Sequence, residues 1–159
     1  MSIASSENCL FYLDERGGIL VTGSFGNKQI ADKDASQSKR FKHMHVYFKD
    51  KNNNELPQFN FISASSKHAI AIDVTGQAWV IGSLKHGVGG FESANKFSFT
   101  PIAIPMSPFH HAKVLLTACG TDHSLVLTTF GLYSCGSNNF GQTGMTVLVL
   151  LSTNSTNIC

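Results

Sequence analysis

Charge is scarce in this sequence: Asp, Glu, Lys and Arg make up 14% of its 159 residues, against roughly 25% in an average domain. With hydrophobic residues at 42%, that scarcity excludes a disordered or strongly solvating chain. The net charge of +2 falls far short of the basic excess of nucleic-acid binders, so charge singles out no partner. Paired cysteines are missing as well. Cys9, Cys119, Cys135 and Cys159 contain no C-x-x-C pair, and their spacing supports neither a zinc site nor a disulfide framework. Three of them, Cys9, Cys119 and Cys135, sit in or beside apolar runs, where a free cysteine behaves as a small hydrophobe. Long hydrophobic runs are absent too. The longest, Val147 to Leu151, is far short of the roughly 20 residues a bilayer requires. Met1-Ser-Ile-Ala-Ser-Ser-Glu7 has neither the basic region nor the apolar core of a signal peptide. These absences predict an intracellular protein, cytoplasmic or nuclear, in a reducing compartment and away from membranes. Asn154-Ser155-Thr156 fits the glycosylation pattern, but without a secretory signal we take it as chance.

What the chain does have is glycine, phenylalanine and short β-favouring runs, arranged as a repeat. The clearest unit starts at Leu116 and reads L-T-A-C-G-T-D-H-S-L-V-L-T-T-F-G-L-Y-S-C-G-S-N-N-F-G-Q-T-G. A second copy starts at Ile62: I-S-A-S-S-K-H-A-I-A-I-D-V-T-G-Q-A-W-V-I-G-S-L-K-H-G. His68 and Gly76 stand eight apart, as do His123 and Gly131; Gly82 and Gly136 follow at offsets that differ by one. Five residues further on come Gly87 and Gly141. A third copy, N-C-L-F-Y-L-D-E-R-G-G-I-L-V-T-G-S-F-G, opens the chain, with Gly17 and Gly23 six apart and Cys9 in the place of His68.

Each copy reads as two strands joined by a turn. Ala69-Ile-Ala-Ile and Ala78-Trp-Val-Ile bracket Asp73-Val-Thr-Gly76; Ser124-Leu-Val-Leu and Leu132-Tyr-Ser-Cys bracket Thr128-Thr-Phe-Gly131. Short β-favouring runs bounded by Gly, Asp and Thr are hairpin signals. Two further strands are expected ahead of each later hairpin: His45–Phe48 and Phe59–Ile62 before the middle one, Pro101–Ile104 and Val114–Thr117 before the last. Four short strands per period of about 40–60 residues is the requirement of a propeller blade.

Ala118-Cys-Gly-Thr-Asp-His-Ser-Leu125, followed by Gly131-Leu-Tyr-Ser-Cys-Gly136 and Asn138-Asn-Phe-Gly-Gln142, closely resembles the repeat of the regulator of chromosome condensation family. That repeat runs A-C-G, two residues, H-S-L-A-L-T, then G-x-V-Y-x-W-G, then N-x-x-G-Q-L-G. Thr143 stands here in place of the usual leucine and Cys135 in place of the usual tryptophan. The middle copy keeps His68, Gly76, Trp79, Gly82 and Gly87, but Ser65-Ser66 replaces the Cys-Gly pair; the first copy keeps mainly its glycines and alternation. The resemblance covers roughly residues 8–144. It implies an all-β fold: a partial β-propeller of four-stranded antiparallel blades, open or fragmentary, since the family's full ring has seven blades. The expected repeats span 1–145, at about 8–27, 44–90 and 100–145. A non-repeat tail, 146–159, reads as truncation or an edge strand. An unclosed ring leaves exposed sheet edges, so three readings stand: a fragment of a larger propeller, a part completed by other chains, or a short open stack.

Several residues invite a sharper chemistry. His68 and His123 look catalytic in isolation, but a triad is recognised by geometry, and in this repeat type we expect the histidine to hydrogen-bond backbone within its blade. His43 and His45 share a strand face and His110-His111 are adjacent, yet a metal site needs three or four ligands. Lys39-Arg40-Phe41-Lys42-His43, with Lys49 and Lys51, forms the basic cluster; it reads as a solvated loop, with nuclear import or an acidic partner as the alternative. Gly87-Val-Gly-Gly-Phe91 lacks both the spacing and the lysine of a phosphate loop.

No residue is therefore assigned a catalytic, metal or cofactor role, and the partner-binding residues are unknown at this level. The expected function is non-enzymatic: a protein-interaction scaffold of propeller blades, whose loops carry the contacts. The resemblance offers an alternative, a guanine nucleotide exchange factor or a piece of one for a small GTPase. The partner expected is a protein, a small GTPase among the candidates; membranes are not expected, and the charge disfavours nucleic acid or chromatin.

Overall fold

A computed structural model describes residues 2–25, 28–29, 45–47, 55, 57–106, 109 and 111–144. The expected hairpins are all present. The first sheet contains β1 (Ser2–Ser5), β2 (Cys9–Leu13), β3 (Ile19–Phe25), the two-residue β4 (Lys28–Gln29) and β5 (His45–Tyr47). The second contains β6 (Phe59–Ala64), β7 (His68–Asp73), β8 (Ala78–Ser83) and β9 (Phe97–Ala103), in that spatial order. The third contains β10 (Val114–Cys119), β11 (His123–Thr128) and β12 (Leu132–Gly136). All pairings are antiparallel between strands close in sequence, as short connections favour.

The repeat alignment holds in the registers. Cys9 pairs with Gly23, His68 with Gly82, and His123 with Gly136. The one-residue offset in the last copy also has a structural cause. Between the paired ends Leu13↔Ile19 and Ile72↔Ala78 the turns hold one residue more than between Leu127↔Leu132.

One strand assignment needs correction. His45–Phe48 and Pro101–Ile104 were expected to open the unit of the hairpin that follows. Instead β5 bonds the free edge of β3, and β9, which starts earlier at Phe97, bonds the free edge of β8. Each hairpin leaves its second strand one unpaired edge, and the returning chain is the nearest antiparallel partner. The next hairpin already has β6 or β10 on its own free edge. Each unit is thus phased so that its last strand follows the hairpin, and the third sheet has three strands among the described residues. The tail 146–159 lies outside the described residues.

Burial shows how the sheets stack. In β2 the buried positions are Cys9, Phe11 and Leu13; in β11 they are the alternate set, Ser124, Val126 and Thr128. Every residue of β7 is buried. Successive side chains point to opposite faces of a sheet, so the second sheet is covered on both sides and its neighbours on one. Phe11, Leu13, Ile19 and Val21 close one junction with Ile62, Ala69, Ala71 and Ile81. Ile70, Ile72, Ala78 and Val80 close the other with Val114 and Val126. Each fully buried large aliphatic or aromatic contributes about 1.5–3 kcal/mol, so junction burial is the main term holding the stack together.

Backbone bonds fix the spacing between sheets. The carbonyl of Gly17 accepts from the Phe59 amide, and that of Gly76 from the Val114 amide, each at 2.9 Å. Gly76 has φ +90°, and a Cβ there would stand 2.9 Å from Cβ of Lys113 on the approaching chain. Gly131 holds the equivalent turn of the third sheet, and a Cβ there would meet nothing within 4 Å. Both positions have positive φ, so any added Cβ strains the backbone by roughly 1–3 kcal/mol; only at Gly76 does a clash add to it. Gly76→Ala should therefore lower the unfolding free energy by about 1 kcal/mol or more beyond Gly131→Ala, as read from urea melts. Equal losses would remove the close approach as the reason for the first glycine.

Candidate functional site

The densest polar constellation lies where the second and third sheets meet. His68, the first residue of β7, is fully buried. Its Nδ1 stands 3.2 Å from Oγ of Ser65, and its Nε2 stands 2.7 Å from Oγ of Ser124 on the neighbouring sheet. The Ser65 hydroxyl donates to the His68 carbonyl at 3.0 Å, and its oxygen accepts from the Lys67 and His68 amides at 3.3 and 3.2 Å. Both ring nitrogens thus lie within hydrogen-bond distance of a serine hydroxyl, with the tautomer setting which side donates. Burial pushes the His68 pKa from 6.5 down to about 4, partly opposed by the nearby Asp122 carboxylate. The imidazole is therefore neutral at physiological pH.

This corrects one expectation. The ring does not bond the backbone within its own sheet; it bridges to a hydroxyl on the next. Residue spacing could not show this, because Ser124 is 56 residues away and meets His68 only through stacking. At the same place in the first copy, Cys9 is buried in a cluster that includes Ala69, the residue aligned with Ser124. Burial raises the Cys9 thiol to about 11, so it remains protonated and acts as a small hydrophobe.

Around the histidine bridge, the turns entering β7 and β11 are tied together. The Lys67 ammonium donates to both carboxylate oxygens of Asp122, at 2.8 and 2.6 Å. Both side chains are partly exposed, so solvent screens this pair and its net contribution is small, about 0–1 kcal/mol. Deeper in, the hydroxyls of Ser63 on β6 and Thr117 on β10 are 2.7 Å apart, and Cys119 Sγ lies 3.2 Å from Ser63. Burial is the leading cause that raises the Cys119 thiol to about 11. Both thiols are thus protonated near neutrality, which disfavours them as nucleophiles.

Asp73 is a structural residue that sequence reasoning passed over. Its Oδ1 accepts from the Thr75 amide and hydroxyl and from the Gln77 amide, and its Oδ2 from Trp79 Nε1 at 2.9 Å. Asp14 serves the first turn in the same way, accepting from the Arg16 and Gly18 amides. Thr128 serves the last through its hydroxyl oxygen, which accepts from Phe130 and Gly131. The available signal was the shared place of these residues at the end of each hairpin's first strand.

The remaining sequence candidates do not converge. His123 lies on the side of β11 opposite the buried Ser124. His111 is exposed, with φ +59°; His43, His110 and the basic cluster Lys39–His43 with Lys49 and Lys51 lie outside the described residues. His45 is described only as part of β5. The glycines from Gly87 to Gly90 form a tight turn in which the Gly90 amide donates to the Gly87 carbonyl, and Cys135 Sγ reaches the Val88 carbonyl at 3.3 Å. That turn buttresses β12. Among the described residues no three His, Cys, Asp or Glu side chains group so as to hold a metal. No described helix is long and apolar enough to cross a membrane.

A neutral buried histidine makes stability depend on pH. The folded pKa of about 4 lies below the unfolded value of about 6.5, so between them the unfolded chain binds more protons. The stabilisation is complete above about pH 6.5 and is lost as pH falls toward 4, by up to roughly 3 kcal/mol. Urea melts at pH 7.5 and 4.5 should show this loss in the native chain and a smaller one in His68→Gln. Equal losses in the two would mean the bridge does not carry the effect.

Residues 114–142 match the family profile of the Regulator of chromosome condensation (RCC1) repeat. The human "RCC1-like G exchanging factor-like protein" is 34% identical over 100 residues, which cover 57% of this chain and 21% of that protein. The "X-linked retinitis pigmentosa GTPase regulator" of Canis lupus familiaris is 31% identical over 93 residues, covering 58% of this chain and 9% of that protein. The chain thus spans about a fifth or less of these curated relatives. Among solved structures, human WBSCR16 superposes with a TM-score of 0.70 at 18% identity, over 91% of this chain and 36% of that one. Prp20p of Saccharomyces cerevisiae gives 0.57 at 20% identity, over 89% and 33%. At these identities the structures show the fold, that of part of a propeller.

Proposed function

We propose that this chain, whose third sheet is a regulator of chromosome condensation repeat, is a protein-interaction scaffold made of part of a larger propeller. The observation that carries this reading is where the polar chemistry goes. Its junction histidine is buried, and the hydroxyls and the Cys119 thiol around it are buried or half-buried and spent on joining one sheet to the next. The surface left for a partner is the rims. On one rim the three equivalent turns present Glu15 and Arg16, then Val74 and Thr75, then Thr129 and Phe130. Val74 is 60% exposed and Phe130 73%, and solvent-facing apolar side chains on ordered turns are economical contact points. Such a scaffold binds a protein and catalyses no covalent step; an intracellular setting fits it.

A narrower reading is guanine nucleotide exchange on a small GTPase. It is favoured by the name of the human relative that is 34% identical over 100 residues and by the binding of Prp20p to Gsp1p and histones. The chain spans about a fifth or less of the curated relatives, and exchange by a wedge acting across one face of a ring requires more of that face than three sheets offer. The scaffold is the reading we adopt.

Both readings are separable by experiment. With a cross-linking amino acid at Thr75 or Thr129, the full chain should capture a discrete protein, and Val74→Glu with Phe130→Glu should abolish capture without shifting the urea midpoint. Release of a fluorescent guanine nucleotide from purified small GTPases should not accelerate when the chain is added. Acceleration of tenfold or more would replace the scaffold with the exchange factor, and capture indifferent to the rim substitutions would remove this rim as the contact.

A further inference from the structure

At the His68↔Gly82 end of the second sheet, opposite the turns of Val74 and Phe130, two loops carry unpaired cations and an exposed aromatic. The chain leaves β8 at Ser83 and enters β9 at Phe97, and the connecting segment 84–96 holds Lys85, His86 and Lys96 against a single acid, Glu92. Backbone bonds gather the lysines. The Ser83 amide donates to the Lys67 carbonyl at 2.8 Å, and the Leu84 amide to the Lys96 carbonyl at 3.0 Å. Lys67, Lys85 and Lys96 therefore leave the same end of three neighbouring strands, whose axes stand about 5 Å apart. Lys67 is paired with Asp122. Lys85, His86 and Lys96 are exposed, and none of the three forms an ion pair among the described residues.

The third sheet sets an aromatic beside them. Cys135 Sγ lies 3.3 Å from the Val88 carbonyl, so the loop after β8 rests on the end of β12. From there the chain runs into residues 137–144, where the Ser137 amide donates to the carbonyl of Asp122, the partner of Lys67. Side chains hold this second loop from within. Gln142 and Asn138 accept from the Phe140 and Thr143 amides, and the Ser134 hydroxyl donates to the Thr143 carbonyl at 2.8 Å. Phe140 itself is 93% exposed. That exposure belongs to the rim, not to an uncovered sheet face. His86 holds the same repeat position, one residue before Gly87 as Phe140 is before Gly141, and it is exposed although the third sheet is packed against its loop.

We propose that this rim, built from 84–96 and 137–144, binds an acidic linear segment of a partner protein, with carboxylates on Lys85 and Lys96 and an apolar side chain on Phe140. Charge complementarity selects the occupant, since unpaired ammonium groups favour carboxylates over any other side chain. An aromatic ring held on an ordered loop then gains by apolar burial at little cost in entropy. A nucleic acid fits the rim poorly. Its backbone is gripped through about six to ten phosphate contacts, more than two lysines and a histidine supply, and the Asp122 and Glu92 carboxylates repel it. The surface lies at the opposite end of the sheets from Val74 and Phe130, so it adds a second contact to the scaffold.

The test is selection from a library of random displayed peptides on the purified full chain, at about 150 mM salt. Enriched peptides should carry Asp or Glu beside an aliphatic or aromatic residue. In fluorescence anisotropy with the best of them, Lys85→Glu with Lys96→Glu should weaken binding by about tenfold or more, and Phe140→Ser by about fivefold. All three side chains are exposed, so the urea midpoint should stay where it is. A single-stranded oligonucleotide should not displace the peptide. An empty selection, enriched peptides without an excess of acid, or affinity indifferent to Lys85 and Lys96 would overturn the proposal. So would displacement by the oligonucleotide, which would make the rim a nucleic-acid site. Val74→Glu with Phe130→Glu should leave peptide affinity unchanged, and capture at Thr75 reads the other rim, so this contact and the one described above can fail separately.

Discussion

An antiparallel sheet with apolar side chains on both faces cannot satisfy itself; it must be covered twice. That constraint governs this molecule. β7 is buried along its whole length because a sheet lies on each side of it, and it contains His68-Ala-Ile-Ala-Ile-Asp73 with no solvent-facing alternation at all. β2 and β11 alternate in opposite phase because each has one covered face. The stack behaves as a repeat protein, in which each unit takes its stability from its neighbours and the terminal units are the weakly determined ones.

Once stacking is required, small details at the junctions become selective. Apolar area brings two sheets together but tolerates sliding, since methyl and methylene groups pack in many registers. A buried imidazole does not tolerate it. His68 Nε2 has the Ser124 hydroxyl at 2.7 Å, and displacement by two residues along β11, the step that keeps the same face inward, would put Val126 in place of that hydroxyl. The bridge therefore fixes register while hydrophobic burial supplies most of the stability, a division of labour common to buried polar groups. Cys9 and Ala69 show the apolar solution to the same junction, so the polar form is a choice made at one junction, not a necessity of the fold.

The same reasoning explains why His68 serves the junction between two sheets. A histidine flanked by two serines suggests a nucleophile and its base, yet the ring is enclosed, neutral and already engaged at both nitrogens. A substrate would have to separate two sheets to reach it. Rim turns, by contrast, are held by Asp14, Asp73 and Thr128 accepting successive backbone amides, which fixes the loops and leaves Val74 and Phe130 exposed. Rigid loops with free side chains are what a recognition surface requires.

Glycine spacing, hairpin alternation and the His–Gly register were legible in the sequence because they are local: a positive φ or a two-residue period leaves its mark within about ten residues. Those features determined the all-β class, the hairpins and the alignment of Cys9 with His68 and His123. The tertiary structure alone decided which sheet owns β5 and β9, because a strand's apolar pattern is the same whichever edge it pairs with. It alone joined His68 to Ser124 and Lys67 to Asp122, contacts separated by 56 and 55 residues. Such pairings depend on how far one sheet is rotated and shifted over the next, a quantity set by the summed packing of two faces and carried by no short stretch of chain.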